Sequence, residues 1–377
     1  MPGFEIIDSK ERKAVNKLFD EGGVFLAHGF ENKRKNFYVR ELEDNLSDYF
    51  NSKHVLVVSS GTAAIKIALK ALGVKRGDEV ITQAFNFIAT IEAIKDVGAI
   101  PIICDIDETL NMNVSHLLDL ISHKTKAIIP VHMLGMSARI NEICSIAKSK
   151  KIKVLEDNCE AIGGKYNNKY LGTIGDIGVM SFDHAKMITC GEGGAIFTNN
   201  KKLSKYCREY HDHGHENNPR YTRGNDTKSI YGFNYRMTEL QAVVGIVQLK
   251  KLKFMINENK KRFKILQSNL SKKINQRAIL TNSTPNYDCF IFYCNNKTKL
   301  RKLIEQLDSQ SIGTKNLPSA IKWHCAFYWN HALNKKQIKN SLNAKKTLEN
   351  AVAIPILIKV PIKKYIKIAH IINSVIS

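Results

Sequence analysis

The chain has 377 residues, 44% of them hydrophobic, and no apolar run approaches the roughly 20 residues needed to cross a bilayer. Its 8 cysteines (Cys104, Cys144, Cys159, Cys190, Cys207, Cys289, Cys294 and Cys325) form no CxxC pair, which argues against a zinc site or a disulfide framework. The formal net charge of +22 raises nucleic acid as a partner, yet the lysines are spread along the chain and no helix-turn-helix or RNP-like pattern accompanies them, so the charge reads as solvated surface.

The opening MPGFEIIDSKERK has no apolar signal-peptide core, and a soluble cytoplasmic protein is expected. From Val55 to about Asn200, strand and helix signals alternate. VLVVSS is a β-branched run ending at Gly61-Thr62, and AAIKIALKAL is a helical stretch closing at Gly73. EVITQ, PIICDI, AIIPVHM, VLEDN, VMSF and GAIFTN read as further strands, with IATIEAIKDV and INEICSIAKS as helices between them. The strand segments are almost continuously apolar, so both sheet faces should be covered. This pattern predicts an α/β domain with a largely parallel sheet. Residues 211–235 break the alternation with a polar, glycine-marked segment, a length that is usually functional or disordered. Residues 237–270 read as one long helix, and the remainder as a smaller α/β unit containing CFIFYC.

Ligands of parallel-sheet domains sit at the carboxyl ends of the strands. There the sequence places Gly61 and Thr62 at a helix start, a phosphate-type site because free N–H groups and the helix dipole favour an anion. Phe87 follows the next strand, and Asp157 and Glu160 follow KVLE. Lys186 stands in SFDHAKMITCGEGG, before a glycine-rich turn. Alone, each has a plain reading: an ordinary strand–helix turn, a helix cap, a snorkelling lysine. Together they are a phosphate cradle, a stacking face, a pyridinium partner and an amine, the parts a pyridoxal 5′-phosphate site requires. Desolvation pushes a buried lysine toward the neutral amine that attacks carbonyls, so Lys186 is expected to be shifted that way.

SSGTAA (59–64), EDNCEAIGG (156–164), SFDHAKMITCGEGGAIFTNN (181–200) and GFNYRMTELQAVVG (232–245) resemble the DegT–DnrJ–StrS family of sugar aminotransferases, from about residue 5 to 270 and more weakly beyond. The resemblance implies the fold type I architecture of pyridoxal-phosphate transferases. A large cofactor domain over 1–250 has a mostly parallel sheet flanked by helices, and a smaller α/β domain spans 251–377. Residues 1–25 are candidates to pack with the smaller one. It implies that Lys186 anchors the cofactor covalently, Asp157 pairs with the pyridine nitrogen, Phe87 stacks on the ring, and Gly61, Thr62 and Ser181 hold the phosphate. Asn234 would reach the phosphate of a neighbouring subunit, which makes a homodimer the expected unit. Arg236 and His132 would lie on the substrate side. Glu160 stands where many members have glutamine; beside a phenolate it must be protonated, turned away or paired with a cation. The dehydratase branch carries histidine at the lysine position, so Lys186 argues against it; His184 is not the equivalent position.

MPGFE, AHGFENKRKNFYVRELED (27–44), YHDHGHE (210–216) and KWHCAFYWNH (322–331) are most similar to 8-amino-3,8-dideoxy-manno-octulosonate transaminases. That likeness implies amination of C8 of an oxidised octulosonate for lipopolysaccharide, with glutamate as donor. Arg34, Lys35 and Arg40 would attract the sugar carboxylate. His213, His215 and His324 would contact its hydroxyls or carboxylate. The alternative within the family is a nucleotide-sugar aminotransferase acting on a 4-keto-6-deoxy or 3-keto sugar. A non-catalytic regulatory or nucleic-acid-binding protein on the same fold is the remote alternative.

Overall fold

The computed structural model describes residues 2–27, 29–30 and 33–376; Met1 of MPGFE and His28, Glu31 and Asn32 of the basic segment lie outside the described residues. A seven-stranded sheet is built from β1 (His54–Val58), β2 (Glu79–Gln83), β3 (Ile100–Cys104), β4 (Thr125–Ile129), β5 (Lys153–Asp157), β6 (Ile177–Ser181) and β7 (Gly194–Thr198). Its spatial order is β1-β7-β6-β5-β4-β2-β3. From β6 to β3 all pairings are parallel, whereas β7 is antiparallel to both β1 and β6. Every strand except β7 therefore ends at the same edge.

The continuous apolar runs have a structural cause. In β1, Val55 and Val57 enter one core, while Leu56 and Val58 enter another on the opposite face. Strand β7 divides likewise, with Ala195 and Phe197 on one side and Ile196 on the other. The second face is covered by α3 (Gly61–Ala71) and α4 (Ile88–Asp96). Ser60 caps α3 by accepting the Ala63 N–H at 3.1 Å, and Gly73, at φ +77°, ends it in the left-handed conformation that glycine adopts without strain. The first face is covered by α1 (Ser9–Asp20), α2 (Tyr38–Phe50) and the start of the 30-residue helix Glu239–Ser268. Thr238 and Gln241 form a capping box at the start of that long helix.

The C-terminal unit is a ribbon of β8 (Cys289–Tyr293) and β9 (Ala351–Pro355), antiparallel in register and packed against the helices Lys297–Ser309 and Ile362–Ile376. The expected boundary after residue 250 falls inside the long helix. Leu249 and Leu252 of that helix belong to the core under the large sheet, and Phe263 and Leu266 to the core of the smaller unit. The N-terminus touches both: Glu5 accepts the Ile358 and Lys359 N–H groups at 2.9 and 3.2 Å, while Ala14 and Val15 pack on the large-domain core.

Residues 211–235 are irregular but held by two aspartates. Asp212 accepts from Arg223 at 2.6 and 2.8 Å and from Arg236 at 2.6 Å. Asp226 accepts the Asn217 and Asn218 N–H groups at 2.8 and 3.0 Å. Among the described residues no helix is long and apolar enough to cross a membrane.

Candidate active site

A cavity of about 460 Å³ opens where β1, β5 and β6 end. Its floor is a close approach between backbones. A Cβ on Gly61 would lie 2.8 Å from Ser181 Cβ, and one on Gly194 would lie 2.6 Å from the Ser60 carbonyl oxygen. Only glycine lets the start of α3 sit against the β6–β7 pair. The first N–H groups of a helix have no partner within it, so the turn Ser60-Gly61-Thr62 presents donors to an anion in the cavity. Ser181 lines the same corner.

Asp157 ends β5 and is 3% exposed. Cys159 N–H donates to its Oδ1 at 3.1 Å, and the Thr90 hydroxyl lies 3.1 Å from its Oδ2. The Thr90 hydroxyl is also 3.1 Å from Asn86 Oδ1, which accepts the Phe87 N–H at 2.7 Å. One network thus orients the carboxylate and the start of α4. The Phe87 ring is 42% exposed at the cavity wall, 5.6 Å from the His324 ring.

Lys186 lies on the loop between β6 and β7 and is bonded through Nζ to Glu160 Oε1. Glu160 Oε2 is 3.8 Å from Lys315 Nζ, which is itself 2.6 Å from Asp288 Oδ2. Two anions and two cations therefore alternate along a buried row. Burial pushes the Glu160 carboxyl up, but Lys186 and Lys315 outweigh it and bring it down to about 2. Burial pushes Lys186 down, but the Glu160 carboxylate outweighs it, and the ammonium is held above its ordinary range. This corrects the expectation from burial alone: with Glu160 alongside, Lys186 is stabilised as the cation. Of the three roles open to Glu160, the structure selects pairing with a cation.

A prediction follows for Glu160→Gln. Lys186 keeps its burial and loses its counter-charge, so its pKa falls. Capture of added pyridoxal 5′-phosphate, followed by absorbance, should set in at lower pH than in the parent; an unchanged pH profile refutes the control by Glu160. The sign for stability is opposite on the acid side. Because the folded Glu160 titrates below its ordinary 4.5, its pairing stabilises the fold fully above that pH and is lost as pH falls toward about 2.

The remaining expected site residues divide. His324 lines the cavity with Lys186. His132 does not: it is fully buried, with Nε2 3.0 Å from Glu156 Oε2 and Nδ1 accepting the Ala138 N–H. Its substrate role is corrected to a structural one, since its neighbours Val131 and Met133 form the wall and its backbone N–H holds the Asp157 carbonyl at 3.0 Å. Arg34 is buried 3.4 Å from Glu239 and stacks on Phe37, and Arg40 lies over the same ring. Arg40 lines a separate groove with Arg220, Tyr221 and Arg223. His215 lies 3.0 Å from Asp226, and His213 is exposed at φ +53°. Arg236 is engaged with Asp212, and Asn234 is exposed on the same loop. None of Arg34, Arg40, His213, His215, Asn234 and Arg236 lines the Lys186 cavity of its own chain. Sequence reasoning missed Asn86, Thr90, Lys315 and Asn316. Thr90 and Asn86, four residues apart on the turn into α4, carried a faint periodic signal; the others carried none.

A lysine, an oriented carboxylate, an exposed ring and a glycine-opened anion cradle share the open end of a parallel sheet, and together these are the parts of a pyridoxal-phosphate site of fold type I. The comparisons with known proteins narrow the class. The model of the DegT/DnrJ/EryC1/StrS aminotransferase family matches residues 9–373, and the chain belongs to that family. It is 36% identical over 269 residues to the GDP-perosamine synthase of Escherichia coli O157:H7, covering 71% of this chain and 70% of the relative. It is 31% identical over 309 residues to the lipopolysaccharide biosynthesis protein RfbH of Salmonella typhimurium, covering 73% and 71%. A solved GDP-4-keto-6-deoxymannose-3-dehydratase with a trapped PLP-glutamate geminal diamine superimposes with a TM-score of 0.83 at 25% identity, over 99% of this chain and 98% of that one. The enzyme is a pyridoxal-phosphate-dependent aminotransferase.

The residues present fit that cofactor. Gly61 keeps open a cradle that a Cβ would fill, Asp157 offers an oriented carboxylate, and Phe87 offers an exposed ring face.

Proposed function

We propose that this enzyme moves an amino group from glutamate to a keto carbon of a nucleotide-linked sugar. The observation that carries the reading is Lys186 in one cavity with Asp157, a lysine rather than the histidine of the dehydratase branch. The GDP-perosamine synthase relative supports a nucleotide-sugar acceptor. The relatives reported above give no support to the octulosonate acceptor expected from the sequence, which becomes the second arm of the test.

The cofactor, when bound, supplies the electron sink that makes a proton at the donor's Cα acidic. The chain's own groups do the rest. Lys186 Nζ, as the neutral amine, would take the proton from the donor's Cα and return one to the acceptor carbon. Glu160 holds Nζ in place and favours its protonated form between these transfers. Asp157 would hold positive charge on the ring nitrogen of the bound cofactor, and Gly61, Thr62 and Ser181 would hold its phosphate. Asn234, exposed on its loop, would reach the phosphate of a neighbouring subunit in the homodimer that the family resemblance implies.

The test is incubation of the holoenzyme with glutamate and either GDP-4-keto-6-deoxymannose or an 8-oxo-3-deoxy-manno-octulosonate, with mass analysis of the product. Amination of the nucleotide sugar supports the reading. Amination of the octulosonate alone overturns it.

A further inference from the structure

We infer that Asn316 and His324 form a donor–acceptor pair that recognises a neutral hydroxyl of the sugar acceptor, making Asn316 a specificity-determining residue. The inference rests on the sugar-aminotransferase reading and adds to it the group that the small-domain wall of the cavity contacts.

Asn316 lines the cavity with Lys186 and His324. It is 9% exposed, and its buried Nδ2 has no hydrogen-bond partner among the described residues. A buried amide donor without a partner is a cost natural proteins seldom leave uncompensated, and because Asn316 borders the cavity, a ligand oxygen there can supply the missing partner. The amide is also held rigidly. The residue before it, Lys315, donates its N–H to the Ala353 carbonyl on β9 at 2.8 Å and its ammonium to Asp288. The residue after it, Leu317, is fully buried. Asn316 itself sits at φ +64°, a conformation asparagine tolerates better than most side chains.

Ala320 joins the two members of the pair. Its N–H donates to the Asn316 carbonyl at 2.9 Å, and its carbonyl accepts from His324 Nδ1 at 2.9 Å. A carbonyl only accepts, so Nδ1 carries the hydrogen. Burial also disfavours the imidazolium, which leaves Nε2 an acceptor. A hydroxyl between them can donate to His324 Nε2 and accept from Asn316 Nδ2.

Charge disfavours an anion beside Asn316. Asp157, Glu160, Asp183 and Glu192 line the cavity, and its lysine, Lys186, is paired with Glu160. Lys315, behind Asn316, is bonded to Asp288. A carboxylate at this wall would meet carboxylates and committed ammonium groups; an uncharged sugar oxygen would not.

The test compares the holoenzyme with Asn316→Gly, which accepts the positive φ and deletes the amide, and with the isosteric Asn316→Asp. The glutamate half-reaction is followed by the cofactor's absorbance. The sugar half-reaction is measured with whichever of the two acceptors above the parent enzyme aminates. We expect kcat/KM for the sugar to fall about 10- to 100-fold in both variants, the scale of one lost hydrogen bond to substrate, with the glutamate half-reaction within about twofold of the parent. An unchanged sugar half-reaction overturns the inference, as does an equal loss in both halves, which would mean a merely structural role. If Asn316→Gly does not fold, Asn316→Asp decides alone. A parent enzyme that aminates neither sugar overturns the function reading and this inference with it.

Discussion

Lys186→Ala should lower amino transfer by at least about 10⁴-fold and abolish covalent retention of the cofactor. Two losses combine: the nucleophile that captures the carbonyl, and the base that moves the proton, the latter alone worth about 10²–10⁴. The cavity offers no substitute. Lys315 is bonded to Asp288 and lies 3.8 Å from Glu160 Oε2, the carboxylate oxygen that Lys186 does not bond. The informative control is Lys186→Arg. It keeps a cation beside Glu160 but does not deprotonate in a protein, so it should be as inactive as the alanine variant while retaining more acid stability. Absorbance of the purified variants and turnover with glutamate check both statements. Full turnover by Lys186→Ala would refute the assigned chemistry.

Asp157→Asn should slow turnover by about 10²–10³-fold, the usual scale for removing one preorganised electrostatic partner, while leaving covalent attachment through Lys186 intact. The separation follows from the geometry. Asp157 and Lys186 stand on different strand-end loops, and Asp157 takes its hydrogen bonds from Cys159 N–H and Thr90 rather than from Lys186. The substitution is close to isosteric, so the fold should survive. The Asn amide presents a donor or a neutral oxygen where a fixed negative charge stood, and the ring nitrogen opposite loses its reason to stay protonated. The absorbance of the attached cofactor should persist while the glutamate half-reaction slows. If attachment and turnover fail together, Asp157 shapes the cavity rather than tuning its electronics.

Much of this site could be read from the chain because its parts are tied to strand ends. Gly61, Asp157, Ser181 and Lys186 each follow an apolar β-branched run, and a parallel sheet brings such positions to one edge whatever the loops between them do. The residues that went astray were assigned through loops and ring chemistry. His132 sits in a strand-end motif, PVHMLG, but alternation along the chain turned its ring toward Glu156 and away from the cavity. Arg34 and Arg40 looked like free cations in a basic segment, yet both pack on Phe37.

The sequence by itself determined the class of chemistry. An amine, a carboxylate, a stacking ring and a glycine cradle in this order on an alternating strand–helix pattern require one sheet edge and one kind of cofactor. What only the tertiary structure decided was the charge state and the far wall. Glu160 becomes a paired anion because Lys186 bonds one of its carboxylate oxygens and Lys315, from the C-terminal unit, is folded to within 3.8 Å of the other. Asn316 reaches the cavity because Lys315 before it is bonded to β9 and Leu317 after it packs in the core that holds Phe85 and Ile88 of the large domain. Both depend on contacts between segments over a hundred residues apart, and local sequence pattern carries no information about such pairings: they are set by how two cores pack, not by the period of either segment.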